Sequence, residues 1–409
     1  MTKAATAAVS SEDLAATSPR ELLDRLLADG AAPTPNLGRG ELVAAAMAHR
    51  LARGEALQGA GVLEVLPEGF GFLRSAAFDF EASPHDPFVS PSQVRSLNLK
   101  SGHRLRGPLR APRGNERFFA LTHVDRVHEA APDDLHGTLA FAARTAVVGR
   151  RPLGVAPQSP ALRALAELAP WCRGQRILAV CPPGFARLPF LCDLALALHA
   201  ADATLRVHLA AIDQRPEDLA GARARLSGAA GVSVAGTTFD QGQARHVGFA
   251  ELALAQAQRD VEQGHDVVLL FDSLTAQARA AQRSEAASGR WLCPGLDVQA
   301  VVAGKRLFAA ARECAEGGSL TVLATAIADP ESAPDRTVLA EFRHCGNSEI
   351  VVDPDLLGAT AIPFDPAATR TRPEDDSRTA ANRTKAAAYR QALAAAAPAA
   401  RADVPPPTA

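Results

Sequence analysis

Residues that could handle phosphate stand between Arg173 and His199, in the run RGQRILAVCPPGFARLPFLCDLALALH. Ile177–Cys181 is a short apolar run, Pro182-Pro183-Gly184-Phe185 reads as a turn, and residues 189–199 have the length and apolar content of a buried helix. Strand, loop and helix in that order form the layout of a phosphate-binding loop. In a working loop, glycines let backbone N–H groups close around phosphate, a lysine reaches the outer phosphates and a Ser or Thr hydroxyl holds Mg²⁺. Here the loop ends Gly184-Phe185-Ala186-Arg187-Leu188-Pro189, so the frame is present while the lysine and the hydroxyl are not.

A second chemistry is suggested by Gly69-Phe70-Gly71-Phe72. Two residues apart on a strand, Phe70 and Phe72 share a face, and the glycines keep that surface flat. Two exposed rings on one face make a stacking platform for bases, worth about 1–3 kcal/mol per stacked base. The alternative is that both rings belong to the core. Charge bears on the choice. Between Pro91 and Ala130 stand eight basic residues (Arg95, Lys100, Arg104, Arg106, Arg110, Arg113, Arg117, Arg126) against three acids (Glu116, Asp125, Glu129). Paired aromatics on a locally basic domain are the signature of single-strand binding.

The elements that must position these groups follow from period and composition. The 409 residues suffice for two or three domains, and 47% hydrophobic with 22% charged residues is an ordinary soluble balance. A net charge of −2 gives no global attraction to nucleic acid or membrane. Six cysteines without a CxxC pair suit a reducing cytoplasm, no metal site is expected, and no apolar run marks a signal peptide or membrane span. Residues 1–17 are small and polar and are expected to be disordered. Ser18-Pro19 opens a helical module over 18–57. Short strands at 62–66, 70–75, 87–90, 103–107 and 118–121, separated by Gly, Pro and Asp turns, predict a small closed barrel over 58–130. Residues 131–160 read as a linker. From 161 to 372, apolar strands at 177–181, 207–212, 267–271, 320–324 and 349–352 alternate with helices such as 249–263 and 301–314, which predicts a parallel sheet wrapped by helices. Residues 373–409 form an Ala/Pro-rich tail, helical over 380–396 with a disordered end.

Several runs together resemble one family, the bacterial transcription termination factor Rho. They are GVLEVLPEGFGFLRS (61–75), PFVSPSQVRSLNLKSG (87–102), ERFFAL (116–121), RGQR (173–176), IDQRPED (212–218), TFDQGQARHV (238–247), LLFDSLTAQAR (269–279), GKRLFAAARECAEGGSLTVLATA (304–326) and EFRHCGNSE (341–349). The resemblance covers residues 18–372 and implies a multidomain chain: a helical module, a cold-shock/OB-type RNA-binding barrel and a RecA-like α/β motor that assembles as a hexameric ring. It implies pyrimidine-rich single-stranded RNA, sister Rho subunits and RNA polymerase as partners, in the cytoplasm and without membrane.

In the barrel the resemblance assigns RNA contacts to Phe70, Phe72, Arg74, Asp86, Phe88, Glu116, Arg117 and Phe118, and the basic run adds Arg104. In the motor, the family loop PPKAGKT stands here as Pro182-Pro183-Gly184-Phe185-Ala186-Arg187-Leu188, so Pro183 to Leu188 and the nearby Arg215 form a vestigial nucleotide site. Arg187 keeps a positive charge, yet its planar fork does not replace a compact ammonium. Gln214 replaces the family's water-activating acid and cannot act as a base. Asp272 retains the Walker B carboxylate. Of the two arginines that each family subunit inserts into its neighbour's site, the first aligns with Thr360 and the second with Arg372. The expectation is a degenerate, ATPase-defective Rho that needs no cofactor. The alternatives are an active Rho, an RNA-dependent ATPase and helicase using ATP and Mg²⁺; an RNA-binding module or chaperone with a scaffold motor; and a decaying copy without a role.

Overall fold

The computed structural model describes residues 9–135, 137–358 and 361–406, which fall into two compact units, Met1–Thr138 and Leu139–Ala409. The first unit opens with three helices, Ser11–Ala16, Pro19–Ala28 and Arg39–Ala52. The short first helix corrects the expectation of disorder over 1–17, of which residues 1–8 lie outside the described residues. Ser10 and Asp13 form a reciprocal capping box, and Leu14 is 2% exposed. Capping satisfies the orphan N–H groups while the leucine anchors the turn. The helix joins the barrel through Ser11, whose Oγ donates to Ala60 O and accepts from Ala60 N.

Six strands follow: Gln58–Val65, Gly71–Arg74, Phe88–Val89, Arg104–Arg110, Ala120–Leu121 and Arg126–Val127. The first strand pairs with the second (Val62↔Arg74) and also with the fourth (Val62↔Arg104), which closes the sheet into an OB-like barrel. Its inward side chains, Leu63, Leu73, Val89, Leu105, Leu109, Leu121 and Val127, share one core with Leu22, Leu26, Val43 and Met47 of the helices. Gly71 serves closeness more than flatness. A Cβ there would lie 2.6 Å from Glu64 O and 2.7 Å from a Leu63 methyl.

The second unit is an α/β domain with a nine-stranded sheet. Six parallel strands run in the order Val232–Thr238, Arg206–Gln214, Asp266–Asp272, Ser319–Ile327, Arg176–Cys181 and Ser348–Val351. Burial on both faces explains why four of them read as apolar runs, while the short Ser348–Val351 alternates buried and half-accessible residues. Val232–Thr238 was not expected, because this edge strand carries Ser, Gly and Thr and half of it stays accessible. The run 301–314 is not one helix: Val302–Ala309 is helical, and Arg312–Cys314 turns back as a strand paired with Ser319–Ile327 through Gly317 and Gly318, both at positive φ.

Two low-complexity stretches are structured. Where a linker was expected over 131–160, Ala146–Val147 joins the sheet, and the buried Arg144 guanidinium donates to the carbonyls of Val261, Glu262 and Gly317. The expected tail packs as well. Helix Ala380–Ala395 places Tyr389 and Leu393 in the core, Arg390 donates to Leu168 O and Thr369 O, and the buried Arg401 reaches Phe364 O. Alanine-rich segments are tied down here by a few arginines that donate charge-assisted hydrogen bonds to main-chain carbonyls.

Candidate functional site

The pleat of Gly71–Arg74 turns Phe72 and Arg74 to the barrel's outer side, and Phe88 stands directly opposite Phe72 on the next strand. Four rings gather there. Phe70 lies 5.8 Å from Phe72 and 5.5 Å from Phe88, and Phe118 meets Phe72 edge to face at 4.8 Å. The two sequence alternatives divide between the rings. Phe72 is 8% exposed and is packed by the other three, whereas Phe118 is 39% exposed and Phe70 and Phe88 are half-buried. A base therefore has ring faces and edges of Phe70, Phe88 and Phe118 to stack on, over a floor made by Phe72.

A polar corner adjoins the rings. Arg74 lies 5.1 Å from the Phe72 centroid and donates to Glu64 and to Asp86, each at 2.6 Å. Asp86 is 1% exposed and its Oδ2 also accepts from Ser83 N at 2.7 Å, while its Oδ1 is buried without a partner. Burial raises the Asp86 carboxyl to about 6, against the pull of Arg74. Neighbouring His85 is pushed down to about 4 by burial and by the Arg39 charge, so it is neutral near pH 7. Its Nε2, 3.8 Å from Asp86 Oδ1, makes no ion pair in that state. The result is a buried guanidinium–carboxylate pair beside the ring cluster.

Glu116 and Arg117 are exposed on the loop before Phe118. Arg110 holds Glu116 in a fork with one bond of 2.8 Å, and the Arg113 N–H adds a bond of 2.9 Å. Hydrogen bonds from Arg110 and from that N–H bring the Glu116 carboxyl down to about 2. Arg104 points outward from the fourth strand and is half-buried. Glu64 and Ser83 were not singled out in the sequence, and Arg110 was named there only within the basic run, since they meet Arg74, Asp86 and Glu116 through strand pairing and a turn.

In the second unit, strand Arg176–Cys181 leads through Pro182–Ala186 into helix Arg187–Ala201. Pro183, Gly184 and Ala186 are exposed and Gly184 has φ +85°, but the surrounding groups do not fit a magnesium nucleotide. Leu188 is buried in the core at the position of the missing hydroxyl, and Phe185 packs against Phe190 at 5.7 Å. Pro189, in the first turn of the helix, has no N–H to offer phosphate. Arg187 turns inward and donates from Nε to Asp272 Oδ1 at 2.8 Å. Thr325 Oγ1 donates to the same oxygen at 2.6 Å, and Gln214 Nε2 lies 3.3 Å from Asp272 Oδ2. The carboxylate that a metal would use is thus fully buried and taken up by protein donors. Burial works against the Arg187 charge, yet the Asp272 carboxylate outweighs it and holds its pKa above the ordinary value. Arg215 is exposed at the N-cap of Pro216–Leu226, apart from these contacts. Arg372 donates to His344 O at 2.6 Å, and Thr360 lies outside the described residues.

Comparison with known proteins finds matches to both units. A family model described as the Rho termination factor RNA-binding domain matches residues 59–133. Transcription termination factor Rho of Chromobacterium violaceum is 37% identical over 338 residues, covering 81% of this chain and 80% of its own. Rho of Haemophilus influenzae is 36% identical over 345 residues, covering 83% and 81%. Among solved structures, a type III secretion system ATPase from pathogenic bacteria superposes with a TM-score of 0.54 at 23% identity, covering 61% of this chain and 72% of that one. An ATP synthase subunit from Nanoarcheaum equitans gives 0.52 at 16% identity, with coverages of 61% and 62%, and these two likenesses concern the α/β fold. With over a third of the aligned residues identical across four-fifths of the relatives' length, the chain belongs to the transcription termination factor Rho family.

Proposed function

We propose that this chain is a Rho-like termination factor that binds pyrimidine-rich single-stranded RNA through its barrel, does not hydrolyse ATP, and acts by joining the ring of an authentic Rho. The observation that carries the reading is the Arg187–Asp272 pair, in which the protein's own guanidinium occupies the carboxylate required for a metal. Leu188, Gln214 and Pro189 support it, because no hydroxyl, general base or third helical N–H remains. The barrel, by contrast, keeps its aromatic cluster and its Arg74–Asp86 pair. Retention of family sequence at 238–247 and 304–320, with Phe239 61% exposed, supports a preserved contact surface for sister subunits.

The test is to titrate the full chain into an active Rho and follow RNA-stimulated ATP hydrolysis. If family sites form between subunits, one inert subunit weakens its neighbour's site as well as its own. Activity should then fall by more than the fraction of subunits replaced, and saturating RNA should not restore it. Full rescue by excess RNA would mark a decoy that merely sequesters RNA, and undiminished total activity would mark a chain that stays out of the ring or is itself active. Either result contradicts the proposal.

A further inference from the structure

The fourth barrel strand alternates strictly. Leu105, Gly107 and Leu109 turn inward, and Arg104, Arg106 and Arg110 turn outward. Arg110 is engaged by Glu116, but Arg106 is exposed and stands directly opposite the exposed Arg126 of the last strand. The pairing cannot slip easily. Asp125 N donates to Arg106 O at 2.8 Å, His128 N donates to Arg104 O at 2.6 Å, and a Cβ on Gly107 would lie 2.1 Å from His123 O. Like charges directly opposite on neighbouring strands destabilise a sheet. The acids nearby offer partial relief. Asp125 lies 2.8 Å from His123, Asp13 is held in the Ser10 capping box, Arg126 donates to Glu129 O at 3.0 Å, and Glu12 feels both Arg104 and Arg106. A fixed pair of facing arginines is a place where an outside polyanion would relieve repulsion.

Strand register connects this pair to the aromatic platform. Phe72 faces Glu64, Arg74 faces Val62, Val62 faces Arg104, and Ala60 faces Arg106. Residues opposite one another share a side of the sheet, so Phe72, Arg74, Arg104, Arg106 and Arg126 are all on the outer side of the barrel, with the buried Val62 between Arg74 and Arg104. At about 5 Å between strands, the Arg104 position is about 10 Å from that of Arg74, and Arg126 is about one strand further.

We propose that the outward side bearing Arg104, Arg106 and Arg126 is a phosphate track that carries single-stranded RNA beyond the aromatic platform. Its ligand is the phosphodiester backbone, whatever the base. The inference rests on the reading of the barrel as an RNA-binding surface, and the position of the arginines on the same outer side as the stacking rings favours RNA over an acidic protein.

The experiment measures binding of the full chain to oligocytidylates of about 4 and about 16 nucleotides, the ends of the range one such barrel covers, across a salt series. Wild type is compared with the Arg106→Gln, Arg126→Gln double variant and with Arg106→Glu. The short oligomer should bind all three alike. For the long one, the double variant should bind more weakly, with a log–log salt slope shallower by about 0.7 per lost phosphate contact, hence about 1.4 in all. Arg106→Glu should be weaker than wild type too. The double variant should melt no earlier than wild type, since a repulsive pair has been removed, which separates lost binding from lost folding. Unchanged slope on the long oligomer would overturn the track and leave an acidic protein as the partner, and equal loss on both lengths would place the arginines within the platform itself. Failure of wild type to bind either oligomer would instead overturn the RNA reading.

Discussion

Phe70, Phe72 and Phe118 sit in one cluster yet differ in what their loss should do. Phe118 and Phe70 present ring surface to solvent, so Phe118→Ala or Phe70→Ala should weaken binding to pyrimidine-rich RNA by about 1–3 kcal/mol each, with little change in melting temperature. Phe72 lies beneath them at 8% exposure, so Phe72→Ala should lose binding and also lower stability by up to about 3 kcal/mol, near the lower end for a phenylalanine truncated in a core. Anisotropy titrations paired with thermal melts of the full-length variants check both. Normal binding by Phe118→Ala and Phe70→Ala would show that no base stacks there. The paired rings were legible from a period of two and Asp86 from the resemblance, whereas the bonds from Arg74 to Glu64 and to Asp86 were not. Those contacts come from the first strand and from a turn, and nothing in local sequence spacing fixes them.

The strand–loop–helix between Arg176 and Ala201 has become a latch between two elements, since Arg187 of the helix reaches Asp272 at the end of strand Asp266–Asp272. Sequence showed the frame and the missing lysine. It did not show that the replacement arginine turns inward, because Thr325 and Gln214 approach from strands distant in the chain. Breaking a buried pair from one side leaves an uncompensated charge, so Arg187→Ala should lower stability by about 3–5 kcal/mol. Adding Asp272→Ala should cost less than the sum of the two singles, which denaturant unfolding of the four proteins would show. Additive losses would mean that the two side chains do not act as a pair. The central parallel strands were legible because they are apolar on both faces. The polar edge strand Val232–Thr238 and the strand Arg312–Cys314 inside a helix-like run were not, since tertiary pairing overrides local pattern there.

For the whole molecule, composition and motif order indicated a barrel followed by an α/β motor, and the fold agrees. Composition misled where alanine and proline dominate: Arg144 and Arg390 bind main-chain carbonyls and tie expected linker and tail into the second unit. The chain therefore keeps the architecture of the Rho family in both units, and Arg187 after its strand–loop turn is held in an internal ion pair with Asp272. The most direct test of that account is ATP hydrolysis by the purified full-length chain in the presence of polycytidylate. Hydrolysis should stay at the level of the same protein without RNA, and within background. RNA-stimulated turnover on the order of 1 s⁻¹ or faster, the range of working enzymes, would contradict it.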